Sequence, residues 1–276
     1  MKKLLMMLVI VGLIGSTQAA LVLYLPFDTA TQANDQSGQS NNGTIVGTST
    51  SITTTAGDFK LGDGAISITS QAANNGVIGG TDNGFSYGNA AWSLSAWVKT
   101  TDTKHTLLGW GNSVVGQNTN LWLQDNYAIS VSHWDGLTDC KMGKAVAGYY
   151  AAEWNTGAWR LVTGTYDGTT QRLYVDGAEV FSRTGTPALT VTQSSDATAR
   201  WVVGKLINNY VDLAQICVGQ IDDVAMWHGG YLTADSVAAL YNNGDGALAN
   251  TVTDVPEPAT MILLGIGALG LLRRKK

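Results

Sequence analysis

Between Leu21 and Trp227 the sequence breaks into a dozen short apolar or alternating runs, each closed within a few residues by Gly, Asn, Asp or Ser. The runs are Leu21–Phe27, Gly43–Gly47, Ala65–Thr69, Trp92–Lys99, Thr106–Trp110, Asn120–Leu123, Ala128–Ser132, Trp159–Tyr166, Gln171–Val175, Glu179–Ser182, Arg200–Gly204 and Cys217–Trp227. Segments this short, with turn residues this frequent, predict strands packed as a sandwich or barrel. Asp176-Gly177, between Leu173-Tyr174-Val175 and Val180-Phe181, supplies the positive φ angles of a tight type I′ hairpin. One helix is predicted near the end of the domain. Thr233 is placed to cap it and Leu232 and Val237 to form a hydrophobic staple. Val237, Leu240 and Tyr241 fall at helical spacing, and Gly244 ends it.

The two ends differ from this body. Met1-Lys2-Lys3, the apolar run Leu4 to Ile14 and the small residues up to Ala19-Ala20 have the three parts of a secretory signal peptide, cleaved after Ala19 or Ala20. At the other end Pro256-Glu257-Pro258 precedes an uncharged apolar stretch, Ala259 to Leu272, and the basic tail Arg273-Arg274-Lys275-Lys276. Fourteen helical residues reach about 21 Å, short of the ~30 Å hydrocarbon core, so this segment suits transient membrane insertion. Asn250 to Pro258 reads as a linker. The expected organisation is therefore residues 1–20 as signal peptide, 21–249 as one β-domain, 250–258 as linker and 259–276 as apolar helix and tail.

Six of the 16 basic residues sit at the extreme ends, leaving ten basic against 21 acidic residues between the signal peptide and the apolar tail, a formal charge of −11. So acidic a body is a poor partner for nucleic acid or an anionic membrane. Cys140 and Cys217 are the two cysteines. In an oxidising compartment they are either bonded, closing a loop worth ~4 kcal/mol, or free, since their separation is not set by sequence.

Pro256-Glu257-Pro258, apolar helix and basic tail, in that order, resemble the PEP-CTERM sorting signal. That resemblance implies processing by a membrane exosortase after export, with delivery to the cell envelope and then to the cell surface or extracellular polysaccharide matrix. The segment from Trp159-Arg160-Leu161-Val162 through Tyr166-Asp167-Gly168 to Leu173-Tyr174-Val175-Asp176-Gly177 resembles the central hairpin of LamG-like, concanavalin A-like lectin/glucanase domains. Leu25-Pro26-Phe27-Asp28 with Asp35-Gln36-Ser37-Gly38 and Asn42-Gly43-Thr44 is similar to the opening of such domains. Trp92 to Lys99 is similar to their next strand, and Gly219-Gln220-Ile221-Asp222-Asp223-Val224 with the capped helix to their close. The fold this implies is all-β: a two-sheet antiparallel jelly-roll sandwich with one short C-terminal helix. The resemblance also implies a structural calcium ion, with Asp35, Asn42 and Asp222 at the matching positions. The alternative is that Asp35 caps its own turn and Asp222 bonds backbone amides.

Because such families include glucanases, hydrolysis has to be weighed. A retaining glycosidase needs two carboxyl groups about 5–5.5 Å apart. The only Glu residues are Glu153, Glu179 and Glu257, the last within the sorting motif. Asp135 and Asp139 fall in a predicted loop, and strand alternation sends the adjacent Asp222 and Asp223 to opposite faces. No catalytic residue is assigned. A binding module for polysaccharide or glycoconjugate is expected instead. Its candidate ligand residues are Trp134, Tyr149, Tyr150, Trp154 and Asn155, because aromatic faces stack on sugar rings and amides fix their hydroxyls. The competing reading makes those aromatics packing residues and the domain a passive matrix component.

Overall fold

The computed structural model describes residues 18–28, 32–72, 74–102, 105–124, 127–132, 140–141, 156–184, 190–207 and 216–252. In chain order the strands are β1 (Ala20–Leu25), β2 (Thr44–Val46), β3 (Thr50–Thr53), β4 (Ala65–Ile68), β5 (Gly76–Gly79), β6 (Trp92–Lys99), β7 (His105–Gly111) and β8 (Asn118–Gln124). They continue as β9 (Tyr127–Ser132), β10 (Cys140–Lys141), β11 (Trp159–Tyr166), β12 (Thr170–Val175), β13 (Ala178–Thr184), β14 (Trp201–Val203) and β15 (Gly219–His228), followed by one helix, α1 (Ala234–Tyr241). The strands form two antiparallel sheets. One has the order β13-β12-β11-β6-β15-β4-β3, with β1 also on β15, and the other β10-β9-β8-β7-β14-β5-β2.

Alternation along the strands builds two apolar layers. Leu94, Ala96 and Val98 of β6, Val162 and Tyr166 of β11, and Leu108, Trp110, Leu121, Leu123, Trp201 and Val203 of the facing sheet fill the space between the sheets. The intervening residues of the first sheet, Trp97, Leu161, Tyr174, Ala225 and Trp227, meet Leu232, Val237 and Leu240 on its outer side. The helix therefore closes one outer face of the sandwich. Its N-cap is Thr233, whose side chain accepts from the Ser236 amide at 3.2 Å. It stops one turn earlier than Gly244 suggests, because Asn242 takes the left-handed conformation (φ 48°) and caps it. The Asp176-Gly177 turn has φ 50° and 79°, as a type I′ hairpin requires.

The short strands β3, β5 and β10 lie outside the dozen predicted runs. β3 is Thr-Ser-Ile-Thr and β5 is Gly-Val-Ile-Gly, too polar or too glycine-flanked to carry a strand pattern on their own; pairing to β4 and β14 fixes them. The glycines of β5 have a packing purpose. The indole of Trp201 lies across Gly79 so closely that an added Cβ would sit 1.9 Å from it, while the indole N–H donates to the Thr81 carbonyl at 2.9 Å.

Cys217 is a free, fully buried thiol, so the bridge to Cys140 is not formed. Topology is the reason. Ile216 pairs with Thr106 on β7, and the Cys217 amide donates to the Gly204 carbonyl. Cys140 is on β10, three strands from β7. At about 4.8 Å per strand that is roughly 14 Å, twice the ~7 Å a disulfide spans. Burial pushes the Cys217 thiol up, away from the reactive thiolate.

Gly79→Ala is expected to destabilise the domain by about 1–3 kcal/mol through overpacking against Trp201. Gly79→Ala combined with Trp201→Phe should lose less than the sum of the two single changes. Urea denaturation of the four proteins checks this double-mutant cycle.

Candidate functional site

With one outer face covered by α1, the outer side of the β10-to-β2 sheet is the remaining broad face. Leu121 and Leu123 of β8 enter the core, so Asn118, Asn120 and Trp122 stand on the other side of the strand. Register places Gly109 opposite Asn120 and Thr106 opposite Trp122. The row is partly self-satisfied. The Asn118 amide donates to the carbonyls of Asn112 (2.9 Å) and Val114 (3.3 Å), and the Asn120 amide donates to Asn118 Oδ1 at 2.8 Å. Gly109 makes room for this arrangement, since a Cβ there would lie 2.2 Å from Asn120 Oδ1.

Among the described residues, three buried polar atoms of the row have no hydrogen-bond partner: Asn120 Oδ1, Trp122 Nε1 and Thr106 Oγ1. Asn120 and Trp122 are two residues apart, roughly 7 Å along the strand, and Thr106 faces Trp122. Unmet groups of this kind are uncommon in native proteins and call for water or ligand. Together they offer an acceptor, a donor and a hydroxyl beside an indole, chemistry that matches sugar hydroxyls; Asn120 and Thr106 are 1% and 0% exposed, so a sugar reaches them only where their cover opens.

The aromatic residues singled out from sequence, Trp134, Tyr149, Tyr150, Trp154 and Asn155, lie outside the described residues, as do Pro256, Glu257, Pro258, residues 1–17 of the expected signal peptide and the apolar tail. Trp134 falls in sequence between β9 and β10, which form the edge of the same sheet next to β8, and Tyr149 to Asn155 fall between β10 and β11, a strand of the other sheet. The β8 row itself escaped the sequence reading, although the Asn-x-Asn-x-Trp alternation was its signal.

The calcium expectation does not fit the residues assigned to it. Asp35 Oδ1 accepts from the amides of Tyr24 and Ser37, each at 2.9 Å, and its Oδ2 from the Ser37 hydroxyl and the Asn41 amide, each at 2.8 Å. These four bonds fill a carboxylate's acceptor sites. Asn42 Oδ1 accepts from the Asp35 amide. Asp222 belongs to a separate network, taking the Lys60, Leu61 and Asp223 amides. Among the described residues no group of three His, Cys, Asp or Glu side chains is arranged to hold a metal.

Asp222 and Asp223 also depart from strand alternation. A bulge interrupts the β15–β6 register between Asp222 and Ala225, and Asp223 adopts φ 45°. Both carboxylates consequently lie on the helix-covered side. Asp222 is opposite Trp97, and Asp223 accepts from the Tyr24 hydroxyl at 2.5 Å and lines a space of about 10 Å³ with Trp97, Leu161 and Leu240. This pair is close, but it is sealed: Asp222 is 0% and Asp223 5% exposed. Burial, and for Asp222 the neighbouring Asp223 charge, hold both well above the usual carboxylate range. A sugar cannot enter such a space.

Residues 62–238 match the family model described as the concanavalin A-like lectin/glucanases superfamily, and residues 254–276 match the PEP-CTERM protein-sorting motif. Among solved structures, the chain is similar to domain 4 of AbnA, a GH43 extracellular arabinanase from Geobacillus stearothermophilus, in complex with arabinotriose. The identity is 21% and the TM-score 0.55, over 80% of this chain and 98% of that domain. It is also similar to the binding domain of botulinum neurotoxin DC in complex with SialylT (15%, TM-score 0.55, 81% of this chain) and to that of Paraclostridial mosquitocidal protein 1 (14%, TM-score 0.52, 81% of this chain). The chain spans about half the length of these two toxin structures, 51% and 52%. No curated protein matches the sequence.

A carboxylate whose pKa is raised on folding keeps its proton in the native state while the unfolded chain releases it. Its contribution is therefore most favourable below the unfolded value near 4 and is lost as pH rises through the folded value. Asp223→Asn keeps an acceptor for Tyr24 and tolerates the left-handed backbone. Its stability relative to wild type should rise steadily from pH 5 to pH 8; parallel denaturation profiles across that range would remove the buried-pair interpretation.

Proposed function

Because the chain belongs to the concanavalin A-like lectin/glucanases superfamily, we propose that it is an exported, non-catalytic glycan-binding module of the cell surface and extracellular polysaccharide, delivered there through its PEP-CTERM signal and exosortase processing. The observation that carries this reading is the β8 row, where donor, acceptor and hydroxyl groups without a partner among the described residues gather on the sheet opposite α1. The arabinotriose complex of AbnA domain 4 and the SialylT complex of the neurotoxin binding domain support it, as glycan-bearing examples of the same architecture.

The non-catalytic reading rests on where the described carboxylates lie. A glycosidase needs its acid and its base on the two sides of a bound sugar. The adjacent carboxylates Asp222 and Asp223 are buried, the first under the Lys60 and Leu61 amides and the second beside Leu240 of α1, whereas the described side chains of the β8 row are neutral. Binding without turnover suits an adhesive role in a matrix, where many weak contacts add through avidity.

Retention of the full chain, kept in detergent, on immobilised polysaccharides and on a glycan array tests the proposal. Selective retention, with no release of reducing ends, is the expected outcome. Trp122→Ala should weaken retention by at least about tenfold, the loss of an indole face and its N–H. Uniformly blank arrays, or retention unchanged in Trp122→Ala, would instead favour a passive matrix component.

A further inference from the structure

A second polar recess lies away from the β8 row, between the loop that follows β1 and the short turn at Ala249–Thr251. It encloses about 220 Å³, and its walls include Asp28, Gln32, Asn34 and Gln36 on one side and Leu248 and Asn250 on the other. We infer that this recess is a separate binding site for a single neutral sugar residue.

Both walls are held in place by bonds that leave part of the cleft's hydrogen-bonding capacity unspent. Backbone bonds from Gln36 to Tyr24 (2.8 Å) and the Asp35 bonds to Tyr24, Ser37 and Asn41 fix the opening loop. The Asn34 side chain donates to Gln32 Oε1 at 2.7 Å, orienting both amides. On the opposite wall Ala249 is buried in the layer under the helix, and the Thr251 amide and hydroxyl both donate to the Leu248 carbonyl. Such preparation lowers the ordering cost of binding. Among the described residues, no hydrogen bond occupies the side-chain amides of Gln36 and Asn250, and Asp28 spends Oδ1 on the Asp63 amide. Phe27, beside Asp28, is held at φ 56°, an uncommon conformation for a bulky residue and one that gathers at binding sites.

The lining selects the ligand. Among the described residues it contains no Lys, Arg or His and one carboxylate, a lining that disfavours phosphate, sulfate and acidic sugars. One carboxylate is also far from the six to eight oxygen ligands of a calcium cage. Amides that both donate and accept, one carboxylate acceptor, and an apolar side chain at Leu248 match the hydroxyls and ring face of a neutral pyranose or furanose. At about 30 Å³ per water, the recess holds roughly seven waters, the room of one ring and not of an oligosaccharide.

The inference stands independently of the β8 row, and the experiment separates the two. The full chain in detergent micelles is titrated with arabinose, galactose, glucose, mannose and xylose, with glucuronate as the charged control, and binding is read by saturation-transfer NMR. At least one neutral sugar should bind and glucuronate should not. Gln36→Leu and Asn250→Leu, both at exposed positions, should each weaken that binding by roughly tenfold, one or two hydrogen bonds' worth. Thermal melts should be unchanged in both variants, and Trp122→Ala should bind as wild type. If a variant melts lower, Gln36→Asn, which shortens the same amide by one methylene, gives the readout instead. The inference is overturned if no neutral sugar binds, if glucuronate binds equally, or if the cleft variants bind undiminished. Loss in Trp122→Ala alone would assign the sugar to the sheet face and leave the recess empty of function.

Discussion

Strand β15 is the constraint on which the rest of the sandwich depends. It pairs with β4 over Gly219–Ile221, with β1 over Val224–His228 and with β6 along most of its length, so removing it would separate the sheet into pieces. It is also apolar on both faces: Ile221, Val224 and Met226 enter the space between the sheets, while Ala225 and Trp227 meet the helix layer. A strand buried on two sides has to satisfy every polar group locally, which is why the Asp222-Asp223 bulge is so heavily bonded. The two oxygens of Asp222 take three amides, and Tyr24 reaches across from β1 to Asp223.

The structure also separates what local chemistry dictates from what only tertiary contact decides. The Asp176-Gly177 turn, the Thr233 cap and the strands Trp92–Lys99 and Trp159–Tyr166 were readable in the sequence, because each rests on a few neighbouring residues. The family resemblance extended that reading to the jelly roll itself. Strands β3 and β5 were not readable: their residues become strand because β4 and β14 supply the hydrogen bonds. The same distinction explains one pair whose state was open in the sequence and one expectation that the structure corrects. Cys140 and Cys217 share a redox environment but not a neighbourhood, and Asp222 and Asp223 break the period-2 rule because a single left-handed residue resets it.

For the functional site, the signal that mattered was which polar atoms stay unmet after folding. Asn118 and Asn120 resemble ordinary strand residues until the register shows that one bonds the other and leaves an acceptor over. Asp35, which the family resemblance put at a calcium position and the alternative made a cap of its own turn, accepts four bonds from its own loop and from Tyr24 of β1. A carboxylate saturated by amides is a structural fastener; an amide left with a spare oxygen is where a ligand can compete with water.

Both ends of the described domain meet in one place: Ala19 and Val252 each pack against the layer of residues beneath the helix. The β8 row lies on the far side of the sandwich, across two sheets packed about 10 Å apart. A hold applied beyond Val252, through the six residues that lead to Pro258 and reach at most about 21 Å, therefore grips the molecule by its helix side. Anchored there, the domain stands with the β8 face turned outward, so the attachment point also sets the direction in which the molecule looks.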